Sequence, residues 1–167
     1  AASDVYKRQE KARQALPREL PYKDAVYNVS RVGLLPAAMN PMVLAQAAQQ
    51  GKSGVAAAPA QDADTCACAG GTRESPFADE LAAAQAQSNA LLFTATQDKL
   101  HQPYRGTLMP PSTELIALFR SKGYAAAVSG AGPCVLVLHY GNAREAIDQI
   151  ASEQLASGHW RVLHLPI

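Results

Sequence analysis

His101-Gln102-Pro103-Tyr104-Arg105 places an arginine at the end of a short, proline-stiffened stretch that follows one helical pattern and precedes the Pro110-Pro111 pair. A planar guanidinium held on fixed, irregular backbone suits two-point contact with a carboxylate or a phosphate. Taken alone, Arg105 reads more readily as a solvated surface side chain. Ser129-Gly130-Ala131-Gly132-Pro133 lies between two apolar runs of strand length. Two glycines two residues apart permit positive φ, bring backbone close to a ligand and can turn amides toward an anion. The same string is also what a plain turn between strands requires. It lacks the GK[ST] ending of a P-loop.

Asp24, Asn28 and Arg31 follow helical spacing and share a face. They either point into a pocket or form a solvent-facing edge. Cys66-Ala67-Cys68 has no second pair of ligands nearby in sequence, and His139, His159 and His164 lie far along the chain, so no metal site is expected. His139 and His164 are expected to be structural.

These residues need elements to hold them. Glu10–Leu16 reads as a short helix stopped by Pro17. A longer helical pattern follows Pro21, with Ala25, Val29, Val32 and Pro36 on one apolar face and a break or kink at Pro36. Residues 49–80 are small and polar apart from Val55 and Phe77. They bury too little to offset their ordering entropy, and the segment is expected to be a disordered insertion. Leu81, Ala84, Leu91 and Ala95 restore helical spacing up to about Leu100. Another helix is expected over PPSTELIALFRSKG, with Ser112 as N-cap and Gly123 just past its end. YAAAVSG and CVLVLHY read as an antiparallel strand pair. Asn142 and Glu145 suggest a capping box for the next helix, and HWRVLHLPI reads as a closing strand. The order implies an α+β fold, with a helical layer on one sheet.

The 167 residues suffice for one domain, and 48% are apolar, although alanine supplies much of that share. Fifteen basic residues against fourteen acidic ones give no basis for expecting nucleic acid or an anionic membrane as a partner. No apolar run has the length of a membrane span. Three cysteines make no disulfide framework, and this count suits a reducing cytoplasm. The first nine residues, AASDVYKRQ, resemble a translated sequencing-adapter remnant and are set apart as a foreign tail. Residues 10–167 remain as the domain.

The segments EKARQALPRELPYKDAVYNVSRVGLL, DKLHQPYRGTLMP and AAAVSGAGPCVLVL, in this order, resemble the C-terminal half of homoserine kinases, members of the GHMP kinase superfamily. The SGAGP turn is similar to a motif shared by the whole superfamily, whereas HQPYR and DAVYN are specific to the homoserine branch and look actinobacterial. The resemblance implies the C-terminal lobe of a two-lobed enzyme: a ferredoxin-like antiparallel sheet covered by helices, its first strand missing. It implies a cytoplasmic homodimer that transfers the γ-phosphate of ATP, with Mg2+, to the hydroxyl of L-homoserine. The product would be O-phospho-L-homoserine, on the route to threonine. Arg105 matches a substrate-contacting arginine of the family, Arg161 matches a second one more loosely, and Ser129, Gly130, Ala131 and Gly132 match the turn that lines the active site. Asn28 and Arg31 are further pocket candidates. The family's phosphate-binding loop, PxxxGLGSSAA, and its acidic magnesium ligand have no counterpart here. The chain is therefore expected to be a piece truncated at both ends and inactive alone, with no catalytic or metal residue of its own. The alternatives are another GHMP small-molecule kinase and a non-catalytic ferredoxin-like ligand-binding module.

Overall fold

The structure, a computed structural model, describes residues 9–53 and 76–165. Its elements are α1 (residues 9–14), α2 (Tyr22–Val32), α3 (Leu35–Ala38), α4 (Pro41–Ser53), α5 (Pro76–Ala95), α6 (Gln102–Arg105), a 3-10 turn (Gly106–Leu108), α7 (Pro110–Ser121), β1 (Ala125–Val128), β2 (Val135–Leu138), α8 (Arg144–Ile150) and α9 (Ser152–Ala156). Most of the 49–80 segment, and most of the nine-residue tail, lies outside the described residues. Helices reach into both ends of that segment, since α4 runs on to Ser53 and α5 begins at Pro76.

β1 and β2 form a two-stranded antiparallel sheet with Ala125 opposite Leu138 and Val128 opposite Val135. Alternation along the strands gives the hairpin two packed sides. Ala126, Val128, Val135 and Val137 join Leu115, Ile116 and Phe119 of α7, together with Ile147, Ile150 and Ala151 from α8 and its end. Ala125 and Leu138 pack with Leu92 of α5 and Ala38 of α3. The architecture is α+β. Helices cover both sides of the hairpin and not one side only, because both of its faces are apolar. Residues 161–165 do not form the expected closing strand. Among the described residues only β1 and β2 pair, and an unpaired segment has no ladder to hold it extended. Leu163 and Leu165 are exposed there.

α5 buries Ala84, Ser88, Leu92 and Ala95, one residue per turn, so small side chains let α3 and α4 approach closely. It stops at Ala95, earlier than its periodicity suggests. α7 starts at Pro110, a favoured position for a residue without an N–H. Ser112 therefore stands inside the helix and is not its N-cap. Gly123 takes φ 86° just after α7, as its place past the helix end requires. Asn142 makes no cap, because α8 begins after Ala143 without a side-chain hydrogen bond at its start. Pro36 falls in the first turn of α3 and so opens a helix after the break at Gly33.

α2 is oriented against its apolar pattern. Tyr22, Val26, Val29 and Val32 are exposed, Val29 at 73%. The opposite, polar face docks instead, through Asp24, Tyr27, Asn28 and Arg31. Among the described residues no helix is long and apolar enough to cross a membrane.

Candidate functional site

A cavity of about 380 Å3 opens between α6 and the β1–β2 turn, lined by Asp98, His101, Gln102, Arg105, Val128 and Gly130. The structure thus brings together the arginine and the glycine turn, which stand 25 positions apart in sequence.

The turn is shaped by its glycines. Gly130 has φ 63° and Gly132 φ 81°, values an L side chain rarely adopts. Ser129 N donates to Cys134 O at 2.8 Å and Gly132 N to Ser129 O at 3.2 Å, which closes the loop. The Gly132–Pro133 bond is cis. The amides of Gly130 and Ala131 meet no acceptor among the described residues, so they are open to a ligand. A Cβ on Gly132 would come 2.5 Å from Sδ of the buried Met109, so the turn rests on that side chain. From behind, the fully buried Ser112 donates to Pro133 O at 2.6 Å.

Arg105 ends α6 and is half-buried. Its Nε donates to the carbonyl of Ala12 in α1 at 3.2 Å. Its two terminal nitrogens make no hydrogen bond among the described residues, so the fork is free to grip an anion.

Asp98 is the organiser of this region. Oδ2 accepts from the amides of His101 at 2.8 Å and Gln102 at 2.5 Å, and Oδ1 accepts from Leu100 N at 2.9 Å and from the Asn28 side-chain amide at 2.5 Å. Burial alone would raise this carboxyl. The bond from Gln102, then those from Asn28, Leu100 and His101, outweigh burial and hold it below its ordinary value. Gln102 Oε1 accepts from Val128 N at 3.2 Å, which fastens α6 to the end of β1.

Asn28 and Arg31 do not line the cavity. They face the 97–99 loop, where Asn28 bonds Asp98 and Lys99 and Arg31 stacks on the Tyr27 ring at 4.1 Å. Arg161 is exposed beyond α9 and also lies away from the cavity. Sequence reasoning missed Asp98. Its signal was an aspartate shortly before Gln-Pro, where an acidic side chain can hold the first amides of a turn.

No group of three or more His, Cys, Asp or Glu among the described residues could hold a metal ion. Both oxygens of Asp98, the cavity's carboxylate, are committed to amides. The described residues therefore do not fit a magnesium site.

Residues 77–156 match the family described as GHMP kinases C terminal. Over this stretch the chain is similar to the C-terminal domain of GHMP kinases. Most of it is similar to curated homoserine kinases. It is 35% identical to that of Clavibacter michiganensis subsp. michiganensis over 127 residues, covering 76% of this chain and 26% of the relative. It is 36% identical to that of Leifsonia xyli subsp. xyli, with 76% and 25% covered. The homoserine kinase of Corynebacterium urealyticum is 29% identical, with 87% and 32% covered. The chain thus spans about a quarter to a third of the length of these relatives. The matched stretch includes α6, α7, the glycine turn and Arg105, whereas α1 and α2 lie before it.

Proposed function

We propose that the chain is the C-terminal part of a homoserine kinase, whose complete form phosphorylates the hydroxyl of L-homoserine with ATP and Mg2+. The observation that carries the reading is the placement of Arg105, at the end of HQPYR, on the same cavity as Gly130, with no hydrogen bond to its two terminal nitrogens among the described residues. An amino-acid substrate brings a carboxylate, which a half-buried guanidinium binds at two points. The open amides of Gly130 and Ala131 add positive potential on the other wall. The domain's own contribution is then to bind and orient the substrate, and orientation can supply a large share of a rate enhancement. Phosphoryl transfer also requires neutralisation of the transferred group, which this reading assigns to the rest of the enzyme. The homodimer and the cytoplasmic location belong to the same proposal, as does inactivity of the 167 residues alone.

ATP turnover by the complete protein tests the reading, with homoserine compared against galactose, mevalonate and phosphomevalonate. Turnover confined to homoserine is expected. Preference for another of these acceptors would make it a different GHMP kinase. Absence of turnover with all of them, in a protein that binds a small ligand, would favour a binding module.

A further inference from the structure

We infer that Asn28 and Asp98 form a positioning pair that aims Arg105 from across the fold; the inference rests on the proposed role of Arg105 at the substrate. α6 is a single turn of four residues, too short to hold its own direction. Its direction is set from outside. Asp98 grips the amides of Leu100, His101 and Gln102, the last being the first residue of α6. Arg105 stands one helical turn further on, so any swing of the Gln102 amide is carried directly to the guanidinium. Asn28 in turn holds the loop at two points. Its Nδ2 donates to Asp98 Oδ1 at 2.5 Å, and its Oδ1 accepts from Lys99 N at 2.9 Å. A side chain with a donor and an acceptor on one short planar group meets both needs.

The rest of the docked face of α2 serves the same loop. Tyr27 hydrogen-bonds Gln97, Lys99 Nζ lies 3.6 Å from Asp24, and Lys99 packs over the Tyr27 ring. These contacts account for α2 turning its polar side inward while Val29 and Val32 stay exposed. Asn28 does not touch the cavity, so any effect it has on substrate must pass through Asp98 and α6.

A double-mutant cycle in the complete enzyme tests this, with steady-state kinetics and a thermal melt on each variant. Asn28→Ala and Asp98→Asn should each raise KM for the amino-acid substrate about ten- to a hundredfold, with KM for ATP unchanged, because misplacing a contact group by an ångström can cost up to about a hundredfold. Placed on an Arg105→Ala background, the same changes should add less than about twofold, since the group they aim is gone. Should Asn28→Ala fail to fold, Asn28→Ser carries the same cycle. Equal effects with and without the Arg105 side chain would overturn the inference alone. Wild-type KM in Arg105→Ala would overturn the assignment of Arg105 and this inference with it.

Discussion

Ser112 Oγ donates a 2.6 Å hydrogen bond to the carbonyl of Pro133, which ties the first turn of α7 to the back of the glycine turn. The hydroxyl is buried at 1% exposure, and no water can replace it if it is removed without rearrangement. Ser112→Ala leaves the Pro133 carbonyl without this donor and should cost about 1–3 kcal/mol. At this chain size that corresponds to a fall in Tm of roughly 2–4 °C per kcal/mol. A thermal melt unchanged within a degree would show that the turn is held by other contacts.

Gly130 and Gly132 share a positive φ but not a neighbourhood, and their substitutions should separate accordingly. Nothing lies within 4 Å of a Cβ on Gly130, so Gly130→Ala should cost only backbone strain, about 1–2 kcal/mol. Gly132→Ala adds a collision with Met109 and should cost about 1–3 kcal/mol more. Gly132→Ala combined with Met109→Ala should recover the steric part, so the cycle is non-additive. Equal losses for the two single alanine variants would contradict this division.

Asp98 gives the fold an acid-sensitive joint. Its carboxyl lies below the ordinary 3.8 in the folded protein, so the folded state binds its proton less readily than the unfolded state does. The stabilisation is therefore complete above the unfolded value and is lost as pH falls through the folded one. Wild type should melt above Asp98→Asn by a constant margin from neutral pH down to about 5, and the margin should shrink below about 3.8. Melts collected across that range check it. A margin that narrows already between pH 7 and 5 would contradict the direction of the shift.

How far the sequence could be read follows from which forces are local. The helical pattern Leu81-Ala84-Leu91-Ala95, the strand pair and Gly123 were legible, because periodicity and φ requirements act over a few residues. Gly130 and Arg105 stood out in the sequence by residue type and turn context, and the structure sets them on one cavity. The orientation of α2 was not legible. Val29 and Val32 mark an apolar face, yet five polar contacts to residues 97–99 decide which side docks, and their partners lie about 70 positions away in sequence. Ser112 failed as a cap for a related reason. Pro110 starts the helix two residues earlier, which leaves the hydroxyl for a carbonyl 21 residues on. The strand expected at 159–167 alternates loosely, but alternation does not supply a neighbour to pair with.

Arg120 joins three elements through neutral acceptors. Its Nη2 donates to Phe93 O at 2.8 Å and its Nη1 to Ala126 O at 3.0 Å and to Thr96 Oγ1 at 3.1 Å, while the guanidinium stacks on the Phe93 ring at 4.3 Å. α7 is thereby fastened to the C-terminal end of α5 and to β1. Burial lowers the pKa of this arginine, the direction expected where charge loses water. Arg120→Met keeps much of the stem packing and leaves the Phe93 and Ala126 carbonyls short of donors, so it should cost about 1–3 kcal/mol. Arg120→Lys should recover only part of this, because one ammonium cannot span three acceptors set around a planar fork. Since the acceptors are dipoles and not charges, the loss should be nearly the same at about 0.05 M and 0.5 M salt. Urea melts of wild type, Arg120→Lys and Arg120→Met at the two salt concentrations measure it. A loss that halves at high salt would mean that a carboxylate, and not these carbonyls, is the partner that matters.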